Sequence, residues 1–276
     1  RELGDTGLNT LWDAMKELEE DDAPERMNKA YGGSHEFNMG WMVCLPKVAT
    51  EIGADGTEIF DAASTRPLSI VNTDNRLMCS AARLCWDHIF NGWVSKMQKG
   101  FLKGRSMLSN VLTIDHEAMR VSLQCDTGAI ILFDFKAAFP SIDRDFMLHS
   151  LEWLGMPSKQ LNFIRAMYDK TLGRMKTPGG MGQPFGMSRG IRQGCPLSPL
   201  IFAVVVDILL RKIGAFLEDR GLTRAFTDDT AAVVSNFFGD FPRIATIFGE
   251  YGEISGLHLN YSKTIIVPLW MERELD

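Results

Sequence analysis

The stretch Ala225–Val234, with the sequence AFTDDTAAVV, decides how the rest of the chain is interpreted. Two adjacent carboxylates, Asp228 and Asp229, stand between short apolar flanks. Because aspartate suits turns and β-branched or aromatic residues suit strands, the pattern predicts a strand, a tight turn and a second strand. An isolated pair of this kind is usually a solvated hairpin tip, so the pair alone does not establish a functional site.

A second acidic site lies far upstream. The segment Ala129–Phe135, with the sequence AIILFDF, has the composition of a buried strand and carries Asp134 near its end. A charge in that position is costly to bury unless it is paired, protonated or bound to a metal. Two carboxylate sites on strands therefore indicate a divalent cation site, and with it phosphate chemistry.

Length and composition are those of a globular protein. The 276 residues, 45% hydrophobic and 23% charged, suffice for one large domain or two subdomains. The longest apolar run, Pro199–Leu210, is interrupted by Asp207 and is too short to span a bilayer, so no membrane partner is expected. The five cysteines form no CxxC pair, which argues against a disulfide framework or a zinc site and favours a reducing, intracellular location.

The net charge of −6 at first argues against nucleic acid as a partner, but the excess is local. Residues 1–36 carry all of it, and the rest of the chain is balanced, so composition neither supports nor excludes a basic groove. The most basic short stretch is 96–105, where Lys99 and Arg105 flank Phe101. Its functional interpretation is phosphate contact with base stacking, and a solvated loop is the alternative.

A glycine-rich segment, Gly190–Pro199 with the sequence GIRQGCPLSP, lies between the two acidic sites. Its glycines permit turns or a close approach that a side chain would block. Gln193 offers an amide donor and acceptor, and Arg192 can meet phosphate. On its own this segment is a modest signal, and its position between the acidic sites makes it a strong one.

In the order Asp134, GIRQG, FTDD and Lys263, the chain resembles reverse transcriptases, most of all those of non-LTR (LINE-type) retrotransposons. DFKAAFPSI at 134–142 resembles the first catalytic motif of the family, and GIRQGCPLSP its glycine-glutamine motif. FTDD resembles the catalytic pair, and GLHLNYSKT at 256–264 the lysine motif. Three further segments resemble parts of the family's fingers, and they are LPK at 45–47, RPLSIVN at 66–72 and QKGFLKGR at 98–105.

The resemblance implies an α+β fold, that of the fingers and palm of a right-hand polymerase, with an antiparallel palm sheet backed by helices. Residues 1–36 are expected to form an acidic, helical flank, residues 37–125 the fingers, and residues 126–276 the palm. The thumb is expected to be missing, and no endonuclease or zinc-knuckle segment is recognised. Thr227 stands where the family usually has alanine, which changes the packing behind the metal ligands.

The function implied by the resemblance is RNA-directed DNA synthesis, in which two Mg²⁺ ions, or Mn²⁺, assist nucleotidyl transfer to a primer 3′-hydroxyl. Asp134 and Asp228 are then the main metal ligands, and the carbonyl of Phe135 completes the ligand set. Asp229 is a supporting carboxylate, with a plain turn residue as its alternative. Lys263 is the candidate general acid for pyrophosphate, with a structural lysine as its alternative.

The resemblance also assigns residues to the substrates. Lys47 and Arg66 match fingers positions that hold the triphosphate, and Gln193 would contact the nucleotide or the template. Phe139 would lie beneath the incoming sugar and exclude a 2′-hydroxyl. The remaining residues are assigned to nucleic-acid binding, and they are Lys99, Phe101, Arg105, Gly190 and Arg192.

Three alternatives stay open. A phosphotransferase or phosphatase can also carry its aspartate at a strand end, but such sites commonly want a second carboxylate where this chain has Lys136, or a phosphate-binding loop that it lacks. A truncated, inactive element remnant would at most bind nucleic acid. Group II intron-type and telomerase relatives share the palm.

The expected partners are an RNA template, a DNA primer and deoxynucleoside triphosphates. The remainder of a parent polyprotein is also expected, because the chain begins on Arg1 rather than methionine and stops near Asp276. The expected location is intracellular, and the nucleus is the compartment that a retrotransposon enzyme implies.

Overall fold

The computed structural model describes residues 4–30, 36–61, 64–177 and 180–270 of the chain. The chain forms two compact units that are interleaved along the sequence. The first unit consists of Arg1–Arg83 and Leu151–Ser198, and the second of Leu84–Ser150 and Pro199–Asp276. Each unit takes segments from both sides of residue 125, so the boundaries of fingers and palm set from the sequence stay a prediction.

The helices largely follow the apolar periodicity of the sequence. In chain order they are α1 (Gly4–Glu17), α2 (Ala23–Ala30), α3 (Thr73–Trp93), α4 (Met107–Gln124), α5 (Ala138–Ser141), α6 (Arg144–Trp153), α7 (Ser158–Tyr168), α8 (Ser198–Phe216) and α9 (Phe237–Ser255). None of the helices in the described ranges is long and apolar enough to cross a membrane.

The strands of the first unit are β1 (Met39–Pro46), β2 (Glu51–Ile52), β3 (Glu58–Ile59), β4 (Thr65–Val71), β6 (Leu172–Thr177), β7 (Gly180–Met181) and β8 (Phe185–Gly186). The unit contains a mixed sheet in the order β4-β1-β6-β7, with β8 also paired to β6. Strand β1 is antiparallel to β4 and parallel to β6. The amide of Asn38, just before β1, donates to the carbonyl oxygens of Ala166 and Asp169 at 2.7 Å each, and so ties the sheet to the end of α7.

The second unit is built on four strands, which are β5 (Ala129–Phe133), β9 (Gly221–Phe226), β10 (Asp229–Val234) and β11 (Ile265–Pro268). They form an antiparallel sheet in the order β11-β5-β10-β9. Central strand β10 pairs with β9 and with β5, the two strands that lead to the acidic sites. The predicted α+β class with an antiparallel sheet is confirmed.

Helix α8 lies in the core of the second unit. Its residues from Leu200 to Leu210 are buried except for Ile208, as their apolar character on all sides predicts. The buried charge within this run is Asp207, which accepts a hydrogen bond from the Ser95 amide at 3.0 Å and pairs with Arg211 at 2.7 Å. Asp207 therefore fixes the loop that follows α3.

Helix α9 begins five residues before Pro242, whereas the sequence predicts a helix from Pro242 to Ser255, because proline is favoured in the first turn. The predicted start is wrong, because the helix begins at Phe237, where the side chain of Asn236 accepts a hydrogen bond from the Gly239 amide at 3.1 Å. This cap satisfies one of the free amide groups of the first turn. Its buried inner face, which includes Ile244 and Phe248, supports the helix through the proline.

Candidate active site

The two adjacent aspartates lie at the tip of a tight hairpin. Phe226 on β9 pairs with Asp229 on β10, so only Thr227 and Asp228 form the turn. Thr227 has a positive φ of 62°, and Asp228 does not. That pattern is typical of a type II′ turn, in which glycine usually fills the first position. The predicted strand, turn and strand are confirmed, and a threonine occupies the strained position.

Asp134 lies at the same end of the sheet as this turn. Phe133, the last residue of β5, pairs with Thr230 on β10, so the next residues along the two strands are Asp134 and Asp229. Directly opposite residues of antiparallel strands have Cα atoms about 4.5–5.5 Å apart. The sheet register therefore brings Asp134 close to Asp228 and Asp229, although almost a hundred residues separate Asp134 from this pair in the sequence.

The charges of these carboxylates act on one another. The pKa of Asp229 is raised, first by partial desolvation and then by the negative charges of Asp228 and Asp134. Such like-charge repulsion is what a bound cation would relieve. Among the described residues, no group of three Asp, Glu, His or Cys side chains has the arrangement of a preformed metal cage.

Asn260 contacts Asp134 and was missed by the analysis of the sequence. Its side-chain amide donates to Asp134 Oδ2 at 3.1 Å, and its backbone amide donates to the Asp134 carbonyl at 2.8 Å. These two bonds hold the acidic residue at the end of β5. The sequence signal was the position of Asn260 inside the lysine motif, three residues before Lys263.

Phe135 is buried against Phe248, with ring centroids 5.9 Å apart. The carbonyl of Asp134 and the amide of Lys136 both bond to the segment 258–260. Because successive residues of an extended chain direct their polar groups to opposite sides, the Phe135 carbonyl faces the side of β10. The backbone geometry is compatible with the metal-ligand role predicted for that carbonyl, which stays a prediction.

Phe139 is half-buried in the short helix α5, five residues after Asp134. One face of its ring stacks on the buried Phe202 of α8 at 4.2 Å with an angle of 5° between the planes. The edge of Phe101 approaches it at 6.2 Å. The ring is thus held in a fixed orientation and is not fully enclosed, as a residue that contacts a substrate requires.

Lys263 is exposed in the short 3-10 turn Tyr261–Lys263 that follows Asn260. Its backbone amide donates to the Asn260 carbonyl at 3.0 Å, so the turn is anchored to the residue that holds Asp134. The hydrogen bonds of Asn260 therefore hold the turn near Asp134. The role of the Lys263 ammonium group stays a prediction.

The cations of the basic stretch differ in their surroundings. Burial lowers the pKa of Lys99, and so do the positive charges of Arg105, Arg224 and Lys96, so several cations share this surface. Arg105 is engaged differently, since its guanidinium donates to the carbonyls of Gln98 and Val94 and to other groups of the same loop. Such an arginine supports the loop, and phosphate binding by Arg105 stays a prediction.

The remaining predicted residues belong to the first unit. Lys47 and Arg66 are exposed near the paired ends of β1 and β4, where Arg66 stands opposite Leu45. The carbonyl of Gln193 accepts a hydrogen bond from the Ser69 amide at 2.8 Å, so this motif is docked on β4. Gly190 has a positive φ of 87°, which explains the glycine.

Arg192 is buried, contrary to what a nucleic-acid contact on the surface needs. Its guanidinium lies over the ring of Tyr168, 4.9 Å from the centroid, and donates to the carbonyl of Met167. The sequence does not distinguish a buried arginine from an exposed one. Contact of Arg192 with a nucleic acid would therefore require this region to open, and it stays a prediction.

Replacement of Asp229 is expected to stabilise the fold when no metal is present. A raised pKa means that the folded state binds the proton more tightly than the unfolded state, so above this pKa the charge opposes folding. Asp229→Asn should increase metal-free stability at neutral pH by less than about 1 kcal/mol, because the side chain is exposed. The same substitution should reduce the increase in Tm that Mg²⁺ produces.

Thermal unfolding with a chelator and with Mg²⁺ tests this expectation. Asp115→Asn is the matched control, because it removes an exposed aspartate on α4, outside the site. Equal responses of the two variants to the chelator and to Mg²⁺ would show that Asp229 takes no part in a cation site.

A protein-family model matches most of the chain. Residues 54–270 match the family described as reverse transcriptase (RNA-dependent DNA polymerase). The matched range contains the acidic residues at 134, 228 and 229 and the glycine-glutamine segment.

Sequence relatives are proteins of mobile elements. A 149 kDa protein of transposon TX1 from Xenopus laevis is 26% identical over 210 residues, which are 72% of this chain and 16% of that protein. The Pol polyprotein of the type-2 retrotransposable element R2DM from Drosophila melanogaster is 25% identical over 243 residues, 85% of this chain and 22% of that protein. The chain thus spans less than a quarter of the length of these two relatives.

The fold also resembles solved structures. Telomerase from Candida albicans, in complex with a TWJ fragment of telomeric RNA, aligns with a TM-score of 0.62 at 13% identity. The alignment covers 89% of this chain and 45% of that one. At this level of identity the likeness concerns the fold alone.

Proposed function

The chain belongs to the reverse transcriptase (RNA-dependent DNA polymerase) family, and from this premise we propose that it is the RNA-directed DNA polymerase domain of a non-LTR retrotransposon protein. The observation that carries the proposal is the meeting of Asp134 with the Asp228–Asp229 turn at one end of the antiparallel sheet. The names of the relatives favour this element type over a group II intron origin.

In this proposal the second unit is the palm, because it holds the sheet and the acidic residues. Lys47 and Arg66 match fingers positions that would hold the triphosphate, and Gln193 would contact the nucleotide or the template. The remainder of a parent polyprotein is a further proposed partner, because one relative is a Pol polyprotein. The proposed partners are an RNA template, a DNA primer and deoxynucleoside triphosphates. The proposed location is intracellular, and more specifically the nucleus.

The acidic end of the sheet fits divalent cations. The carboxylates of Asp134 and Asp228 and the carbonyl of Phe135 are the groups that would hold Mg²⁺ or Mn²⁺, with Asp229 in support. Mg²⁺ usually takes one or two protein carboxylates together with waters and substrate phosphates, so a site without a complete protein cage suits it. When bound, two such ions supply activation of the primer hydroxyl and stabilisation of the leaving pyrophosphate.

The chain's own residues position the reactants. Asn260 holds the Asp134 side chain through its amide, and the Thr227 hydroxyl lies 2.8 Å from Asp228 Oδ1. Phe139 presents its ring at the start of the helix that leaves the catalytic strand, where the sugar of the nucleotide would lie. Lys263 would donate a proton to the pyrophosphate oxygen that leaves.

Templated primer extension tests the function. The chain, alone and within its parent protein, should extend a DNA primer on an RNA template with Mg²⁺ and insert the nucleotide complementary to the template. A chelator should stop the reaction, and a second template with a changed base should change the inserted nucleotide. Extension that ignores the template, or no extension in either form, would contradict RNA-directed synthesis.

A further inference from the structure

The segment 97–99, within the basic stretch, lies alongside β9 and leads to the catalytic turn. The Ala225 amide donates to the Met97 carbonyl, and the Lys99 amide donates to the Ala225 carbonyl, both at 2.9 Å. Gln98 thereby forms a parallel bridge with Ala225. The segment extends the sheet beyond β9, and the side chain of Gln98 reaches the turn residue Thr227.

Gln98 is fully buried and pairs with both backbone groups of Thr227. Its Oε1 accepts a hydrogen bond from the Thr227 amide at 2.9 Å, and its Nε2 donates to the Thr227 carbonyl at 3.0 Å. Oε1 also accepts from the Gly100 amide at 2.8 Å. The side-chain amide acts as a peptide group would in a neighbouring strand, and the next residue along the chain is Asp228.

The turn that Gln98 holds is one that needs support. Thr227 is β-branched and has a positive φ, a conformation that costs free energy and persists where the surroundings fix it. Gly100 leaves the space in which this contact forms, since a Cβ there would lie 2.3 Å from the Thr227 nitrogen. The loop is thus seated directly against the strained residue.

The loop itself is anchored on its other side. The Arg105 guanidinium donates to the carbonyls of Asn91, Val94 and Gln98 at 2.7 Å each, and to that of Ser95. Ser95 in turn donates to the buried Asp207. Gln98 therefore extends from a fixed loop, and its amide can transmit that rigidity to the turn.

We propose that Gln98 is a positioning residue of the polymerase site, which fixes the backbone of Thr227 so that Asp228 is held in the orientation that binds the cation. The inference rests on the function proposed above. It assigns no chemical step to Gln98, whose side chain is buried and hydrogen-bonds to the backbone of Thr227 and of Gly100.

Two substitutions of Gln98 separate the effect of its hydrogen bonds from the effect of the space that its side chain fills. Gln98→Met keeps a similar length and removes the side-chain hydrogen bonds to Thr227 and Gly100 at every pH. Gln98→Glu gives a group whose protonated form can again donate to the Thr227 carbonyl and accept from its amide. The ionised form has only acceptors, and one of them would face that carbonyl. Burial raises the pKa of such a carboxyl, so its protonation can be followed above the usual acid range.

The first measurement is single-nucleotide insertion across a range of pH. Gln98→Met should lower kcat about tenfold or more, with KM for the nucleotide little changed, and its ratio to the parent should not vary with pH. Gln98→Glu should show an equal loss at high pH and recover towards the parent as the pH falls. A flat ratio for Gln98→Glu would overturn the proposal.

The matched control is Asn110→Leu. Asn110 is a buried amide that donates to the Ala225 carbonyl at 2.8 Å, on the same strand but before the turn. Its replacement should lower Tm, as Gln98→Met does, and leave kcat of the folded protein unchanged. Equal losses of kcat in the two variants would assign Gln98 to general stability and overturn the positioning role.

The second measurement, Mn²⁺ affinity without substrates, does not require activity. Gln98→Met should weaken Mn²⁺ binding several-fold, and Asn110→Leu should not. If the parent bound Mn²⁺ and did not extend primers, the proposed function would fail, and this comparison would still decide the positioning role. Unchanged affinity in Gln98→Met would contradict it.

Discussion

Asp228→Asn is expected to abolish primer extension, with a loss of about a thousandfold or more in the rate of nucleotide insertion. The amide keeps the shape of the side chain and loses the charge that a hard cation requires. A thousandfold loss corresponds to about 4 kcal/mol of transition-state stabilisation. The fold should persist, because Asp228 lies in a turn, is not buried, and is released from repulsion by the change.

Insertion rates of parent and variant, with circular dichroism for the folded fraction, measure this effect. Asp219→Asn is the matched control, because Asp219 is an exposed aspartate in the turn that leads into β9 of the same unit. The control should retain the parent's rate. If Asp228→Asn stayed within a few-fold of the parent, Asp228 would not be a metal ligand.

Phe139→Ala is expected to raise the incorporation of ribonucleotides relative to deoxyribonucleotides by about tenfold to a hundredfold. Attraction alone discriminates poorly against one added hydroxyl, by about 1–3 kcal/mol. A rigid ring in the position of that hydroxyl adds a clash against the wrong sugar. The ring is held rigidly here, because Phe202 stacks on its face and Phe101 meets it edge-on.

Competition between the two sugars in one reaction is the appropriate measurement, because the ratio is independent of how much protein stays folded. Phe146→Ala is the matched control, since it removes another half-buried ring, which meets Tyr251 edge-on at 5.6 Å in the same unit. That variant should lose stability and keep the sugar ratio. An unchanged ratio in Phe139→Ala would make Phe139 a packing residue.

The parts of the site that were predictable are those that local patterns encode. Asp134 lies at the end of one apolar segment, and Asp228 and Asp229 lie between two other apolar segments. Strand propensity alone therefore predicted carboxylates at the ends of strands. The order of the motifs then indicated the family, and the family match confirms that assignment. The two-residue turn sets the register of β9 and β10. The meeting of Asp134 with this turn depends instead on the pairing of β5 with β10, which joins distant parts of the chain.

The supporting contacts were not predictable, because they join residues that are distant in sequence. Gln98 and Thr227 are separated by 129 residues, and Asn260 and Asp134 by 126. The burial of Arg192 is of the same kind. An arginine in a glycine-rich segment indicates phosphate binding as readily as a buried stack on Tyr168, and only the fold decides between them.

We infer that Asp134 and Asp228 hold one cation site, and anomalous scattering from Mn²⁺ in crystals of the chain can locate that site. We expect an anomalous peak shared by the carboxylates of these two residues, and its loss in Asp228→Asn. Crystals of the parent with Mn²⁺ bound elsewhere and none between these carboxylates would show that the two residues do not share a cation.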